Sequence, residues 1–222
     1  MHQIACAVIV LTLLPRGGSG DADDAFAKQD CRVDAFPTQT DFSPAAYQGQ
    51  WYTVAINRYW MEIPFLTNWF PPSDVQAVYT LDDDGNIGIQ TGGSGLLGFL
   101  CSGTKGLGVA PNKDFPQKNI VTFPGTLFGW FIGAKPYWVL RTDYTGFAVV
   151  YACWAQVDDG TCKPGKEFVW TLNRNPEGHT PDQWQQINAI IKDVCIDPSK
   201  MKPIKQTGNC NIKDKKLPKD EV

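Results

Sequence analysis

Histidine is nearly absent, with two residues in 222, and methionine numbers three. Only His179 lies beyond the first apolar stretch, and no Cys-x-x-Cys pair occurs, so the usual spacing of zinc ligands is missing. Clustered basic charge is missing too. Twenty Lys and Arg stand against 23 Asp and Glu, a net charge of −3. The one basic run, Lys213 to Lys219, is mixed with Asp214, Asp220 and Glu221. Nucleic-acid binders carry a concentrated basic footprint. This run reads instead as part of a solvated polar tail over about 211–222. No later stretch has the ~20 apolar residues that span a bilayer, so no transmembrane segment is expected.

The N-terminal run from Ile4 to Leu14 has 11 residues. It is followed by Pro15-Arg16-Gly17-Gly18-Ser19-Gly20 and then by the acidic Asp21-Ala22-Asp23-Asp24. Too short to span and broken by small residues, it has the form of a signal-peptide core. Residues 1–20 are therefore expected to be a leader, with 21–222 as a single secreted domain. Loss of Arg16 takes the charge from −3 to −4. Of seven cysteines, Cys6 lies in the leader, which leaves 7 − 1 = 6: Cys31, Cys101, Cys153, Cys162, Cys195 and Cys210. An even count in an exported chain predicts three disulfides in an oxidising, extracellular compartment, with fifteen connectivities open.

Between Gln50 and Asn173, short apolar or alternating segments are punctuated by turn residues. Strands are expected at Gln50–Asn57, Val75–Leu81, Ile87–Thr91, Phe99–Thr104, Asn119–Phe123, Tyr137–Thr142, Phe147–Gln156 and Glu167–Asn173. Asp82-Asp83-Asp84-Gly85-Asn86 reads as a hairpin turn. Eight strands without intervening helices predict an all-β antiparallel meander over about 49–174. An up-and-down barrel closes it without bare edges. Thr180-Pro181-Asp182-Gln183 has the form of a capping box, and Trp184, Ile187, Ile190, Ile191 and Val194 share one helical face. One C-terminal helix, about 181–195, is thus expected against the outside of the barrel.

Three short motifs fall in order along this pattern: Gly49-Gln50-Trp51, Thr142-Asp143-Tyr144, and Arg174 after the last strand. Together they resemble the signatures of the lipocalins, in which the Arg packs over the Trp ring and closes the barrel floor. A guanidinium on an indole face gains cation–π energy. The segments around the six cysteines, with Asn175-Pro176-Glu177-Gly178, resemble the retinol-binding and purpurin group of that family, from Asp30 to Cys210. That resemblance implies the pairs Cys31–Cys195, Cys101–Cys210 and Cys153–Cys162. In a chain-entropy account the two long loops contribute roughly 5 kcal/mol each and the short one about 3.

A barrel of this kind encloses a ligand, and alternation counted back from Arg174 turns Leu172, Trp170 and Phe168 inward. Similarity to the retinol-binding pattern adds Ala77, Tyr79, Ile89, Thr91, Thr104, Val121, Phe123 and Tyr137. An apolar lining with a few hydroxyls suits a lipid-like molecule with one polar end. No cofactor is implied; the expected cargo is retinol or a related retinoid, with a pigment such as biliverdin or a carotenoid, or a lipid, as the alternative. Catalysis is not expected, because every mature cysteine is committed to a disulfide and His179 lies beyond the barrel.

The chain departs from the family at the barrel mouth. The segment 58–72 is longer than the family's loop, and seven of its fifteen residues (Tyr59, Trp60, Ile63, Phe65, Leu66, Trp69, Phe70) are large and apolar. They would form either a lid or a docking patch for a carrier or receptor protein. Gly92-Gly93-Ser94-Gly95 reads as a shortened turn, and the loop from Gly125 to Lys135 lacks the family's charged residues. The family's partner there, transthyretin, is therefore not expected to carry over. Gly98-x4-Gly103-Thr104-Lys105 imitates a phosphate loop, and Asp82 to Asn86 a calcium loop; both lack essential positions.

Overall fold

The structure is a computed structural model that describes residues 29–59, 71–95, 100–125, 130 and 132–213. The expected leader (1–20), most of the apolar mouth loop (60–70), the segment 96–99, much of 126–131 and the tail end (214–222) lie outside the described residues. Eight antiparallel strands form the barrel: β1 (Gly49–Ile56), β2 (Ser73–Leu81), β3 (Ile87–Ser94), β4 (Cys101–Val109), β5 (Lys118–Thr122), β6 (Lys135–Thr142), β7 (Phe147–Cys153) and β8 (Glu167–Asn173). Each pairs with its sequence neighbour, and β1 pairs with both β2 and β8, which closes the sheet on itself. The expected all-β, up-and-down barrel with one helix outside is the fold observed.

Alternation explains the layering. Along β1, Trp51, Thr53 and Ala55 are buried while the residues between them are half-buried. Strand β7 is buried at all seven positions. Its Ala148 and Val150 belong to the interior cluster, whereas Phe147, Val149 and Tyr151 pack outward against Ile187 and Ile191. Those two isoleucines belong to the outer helix Pro181–Asp193, here α2; a single-turn helix, α1 (Pro44–Tyr47), precedes β1. Thr180 caps α2: its side chain accepts from the Gln183 amide, and the Gln183 side chain accepts from the Thr180 amide. The capping box expected from the sequence is present.

Three disulfides join Cys31 to Cys195, Cys101 to Cys210 and Cys153 to Cys162, the pairs that the resemblance implies. The second fixes a strap of chain that the sequence did not suggest. Lys202–Pro203 forms a short strand, β9, on the edge of β1 that β2 leaves free beyond Tyr52. The Gln206 side chain then donates to the carbonyls of Thr53 (2.8 Å) and Val75 (3.1 Å), spanning the seam between β1 and β2. Asp74, buried and in the left-handed region at φ 54°, accepts from the Thr207 amide and hydroxyl and from the Gly208 amide. Ile212 ends the strap against Gly92, where an added Cβ would lie 2.9 Å from its methyl group.

Several boundaries differ from expectation, each for a physical reason. Packed chain reaches Ile212, which is fully buried, so the solvated tail begins later than residue 211. Strand β4 continues from Lys105 to Val109, because two glycines that weaken strand propensity are held by pairing with β3 and β5. Gly92, Gly93 and Ser94 are not a turn; they extend β3 and pair with Gly103, Ser102 and Cys101. Strand β7 ends at Cys153, three residues short of Gln156.

Candidate functional site

The barrel floor is built by the three motifs. The Arg174 guanidinium carbon lies 3.8 Å from the centroid of the fully buried Trp51 ring. Its nitrogens donate to the carbonyls of Gln50 (2.8 Å), Gln48 (2.8 Å) and Tyr144 (3.0 Å). Arg174 thus ties the start of β1 to the β6–β7 turn. Within that turn the Asp143 carboxylate accepts from the amides of Gly146 and Phe147, both at 2.7 Å. The Thr142 hydroxyl donates to the Phe147 carbonyl and accepts from the Tyr144 amide. Tyr144, at φ 65°, sends its hydroxyl to the Asp41 carbonyl and accepts from the Ser43 amide at 2.8 Å. Gly49, at φ 95°, faces the Arg174 side chain at 3.1 Å from where a Cβ would stand.

Above this floor the expected inward residues come together. Ala77 pairs with Thr91, Tyr79 with Ile89, and Thr91 with Thr104, so these share one face of the sheet. Ala77, Tyr79, Ile89, Val121, Tyr137 and Leu172 belong to the buried interior cluster, with Phe123 and Trp170 packed against it. Phe123 lies across Gly106, where a Cβ would approach its ring within 2.7 Å. Burial is graded along the barrel. Tyr79 and Leu172, near the floor, are at most 4% exposed, whereas Thr91, Thr104, Phe123 and Trp170 keep partial exposure toward the mouth. Phe168 is the outlier: it is buried by stacking on Trp154, with ring centroids 4.1 Å apart.

Three phenols meet inside the barrel. The Tyr137 hydroxyl lies 2.9 Å from that of Tyr47 and 2.7 Å from that of Tyr79, and all three residues are buried. Their rings continue into the floor and wall: Tyr47 packs on Trp51 at 5.2 Å, and Tyr137 meets Trp170 edge-on at 5.7 Å. Burial pushes all three hydroxyls above the ordinary phenol range, Tyr79 to about 12, which keeps them protonated at neutral pH. Tyr79 and Tyr137 were expected inside; Tyr47 was not. Its signal was Ser43-Pro44, a capping serine before a proline at the first helical position, which starts the turn that inserts Tyr47. Asn119, which shares the inner face with its partner Tyr137, was also missed.

His179 lies outside the barrel, between β8 and α2. Asn173 donates to its Nδ1 at 2.9 Å, so Nε2 carries the proton and faces the Thr171 hydroxyl at 2.9 Å. Burial pushes its pKa down to about 4. Among the described residues no group of three or more His, Cys, Asp or Glu could hold a metal ion. The Asp82 carboxylate is instead occupied by the amide and side chain of Asn86. Gly103, Thr104 and Lys105 lie within β4, not at a helix start. Of the apolar mouth loop, Tyr59 is described and is buried, with the Lys202 ammonium 4.8 Å above its ring.

A closed eight-stranded barrel, floored by Trp51 and Arg174 and lined with aromatic and aliphatic side chains, defines a small-molecule binding protein of the up-and-down barrel class. The profile of the lipocalin-like domain family matches residues 44–206, and the chain belongs to that family. It is similar to purpurin of Gallus gallus, 29% identical over 185 residues, which covers 82% of this chain and 89% of purpurin. Retinol-binding protein 4 of Rattus norvegicus is 27% identical over 206 residues, 91% of this chain and 94% of its own length. In fold it is similar to apocrustacyanin C1 (TM-score 0.57, 17% identity, 82% of this chain and 91% of that one). Lobster apocrustacyanin A1 is comparable (TM-score 0.55, 18% identity, 84% and 86%).

Proposed function

We propose that this lipocalin is a secreted carrier that holds a small hydrophobic molecule inside its barrel, retinol or a related retinoid. The observation that carries the reading is the graded interior: sealed at the floor, and retaining accessible surface at Thr91, Thr104, Phe123 and Trp170 toward the mouth. An elongated apolar molecule suits an interior packed at one end and partly accessible toward the other. Kinship with a protein named for binding retinol supports the retinoid choice. The three disulfides fit an extracellular protein. A binding role rather than an enzymatic one is supported by the chemistry available: all six mature cysteines are oxidised, and both His179 nitrogens are engaged. Among the described residues no helix is long and apolar enough to cross a membrane. A carrier or receptor protein at the mouth is compatible with the apolar segment 60–70.

Titration with all-trans-retinol tests the reading, because Trp170 stands in the proposed lining and its fluorescence should fall on binding. Saturable quenching with a Kd in the micromolar range or below is expected for about 20 heavy atoms. Absence of quenching in folded protein, together with mass spectrometry of an organic extract of native material showing a bilin, carotenoid or lipid, would replace the retinoid with that cargo.

A further inference from the structure

A lysine opens one of the inward rows of the barrel. Tyr137 and Val139 on β6 belong to the interior cluster, so Lys135, two residues before Tyr137, begins the same row at the mouth end. Its partner on β5 is Val121, another interior residue. The Lys135 ammonium lies 5.3 Å from the centroid of the Trp154 ring, and Trp154 stacks on Phe168 at the mouth end of β8. The Arg58 guanidinium carbon lies 5.8 Å from the Phe168 centroid, so a second cation borders the same aromatic pair. Lys135 is half-buried, and among the described residues its ammonium has no carboxylate within ion-pair reach and no hydrogen-bond acceptor. The inward positions described toward the mouth on β3, β4 and β5 are Thr91, Thr104 and Phe123, none of them acidic. A cation drawn partly out of water loses hydration free energy, and one aromatic face returns only part of it.

We infer that Lys135 selects a cargo with a terminal carboxylate: the barrel takes a long apolar monocarboxylic acid, its charged end held at the mouth by the Lys135 ammonium and its hydrocarbon inside. This deepens the carrier reading and rests on it. The space below the ammonium suits hydrocarbon. Tyr137, one inward step down β6, meets Trp170 edge-on at 5.7 Å, and Phe123 lies across Gly106. Further down, the floor around Trp51 is fully buried and would strip a carboxylate of its water. At the mouth the carboxylate keeps part of its hydration and gains the ammonium. The attraction there exceeds that of a pair in open water, because the barrel wall lowers the local dielectric. The Arg58 charge beside Phe168 adds to the same positive field. A neutral alcohol or ester of the same shape fills the interior equally well and gains nothing from either cation.

Acids paired with their methyl esters separate charge from shape. Kd values for all-trans-retinoic acid, methyl retinoate, palmitoleic acid and methyl palmitoleate should be measured at mildly alkaline pH, where carboxylate and ammonium are both charged. The proteins are the unaltered chain and Lys135→Met, which keeps an apolar stem without the charge. An acid that fits is expected to bind the unaltered protein roughly three- to tenfold more tightly than its ester. Lys135→Met should lose that preference while its affinity for the ester changes by less than about twofold. A preference for both acids assigns the site to monocarboxylates in general, and one for retinoic acid alone assigns it to an acidic retinoid. A preference for palmitoleic acid alone keeps the carboxylate site and replaces the retinoid with a fatty acid. Equal Kd values for acid and ester in the unaltered protein, or a preference that survives in Lys135→Met, overturn the carboxylate site and leave the carrier reading standing. If no acid or ester binds, both fail. Should the variant not fold, carbon-13 spectra of carboxyl-labelled acid bound to the unaltered protein decide: its titration is expected at lower pH than in neutral detergent micelles, and an equal or higher pH overturns the site.

Discussion

Arg174 shows how one side chain can hold a floor together. Its planar fork reaches three carbonyls on two segments while its face lies on Trp51. Arg174→Ala is expected to cost about 2–4 kcal/mol, since it strands those carbonyls and removes the cation–π contact. Arg174→Lys should recover less than half of that, because a point charge cannot reach the carbonyls as a fork does. Urea midpoints at constant slope would read both. His179 sets a pH dependence. Its folded pKa of about 4 lies below the ordinary 6.5, so between those values the unfolded chain binds the extra proton. Its contribution is complete above pH 6.5 and is lost as pH falls toward 4. With the residue half-buried, the fall between pH 7 and 5 should be about 1–2 kcal/mol. His179→Gln should flatten that slope; an unchanged slope in the variant would assign the dependence to other groups.

Among the elements, those with local chemistry were legible and those made by distant contacts were not. The hairpin at Asp82 to Asn86, the capping box at Thr180 and the whole of β8 could be read because their signals are short-range. Strand β4 was cut short because Gly106 and Gly108 have little strand preference of their own, and only the partner residues of β3 and β5 keep them extended. The strap from Lys202 to Ile212 was invisible for the same reason. It has no period, and its order comes from Asp74, Gln76 and Gln90, more than a hundred residues earlier. Asp74→Ala should therefore loosen the strap and cost about 2–4 kcal/mol: three donors lose their acceptor at a buried site, and alanine tolerates a positive φ poorly. Amide exchange at Thr207 and Gly208 should quicken in that variant more than exchange in β7.

At the scale of the whole molecule, periodicity was enough for the barrel and its closure, because an eight-strand meander has one economical way to hide its edges. The number of staples followed from the cysteine count, and their pairing from the family resemblance alone. The interior was legible as a set of faces: Leu172 and Trp170 on β8 face inward as alternation predicts, and Ala77, Tyr79, Ile89 and Tyr137 on β2, β3 and β6 face inward as the family resemblance implies. What alternation could not show was that Tyr47 enters from outside the strand pattern and completes a phenol cluster. That needed α1, a single turn with little signal beyond Ser43-Pro44. Ligand should also stabilise the fold as a whole. Cargo at a hundred times its Kd is expected to raise the unfolding free energy by about 2.7 kcal/mol, visible as a higher Tm with retinol than without.

The position of β9 bears on solubility. Beyond Tyr52, β1 turns away from β2, and its free edge would present unpaired amides and carbonyls to any passing strand, the usual template for cross-β association. Lys202–Pro203 fills that edge, and the proline that follows the lysine has no amide to offer a further strand. The short element thus works as a gatekeeper against self-assembly, kept in place by Cys101–Cys210. A chain ending before Lys202, or one with that disulfide selectively reduced, should form aggregates detectable by light scattering at concentrations where the intact protein stays monodisperse.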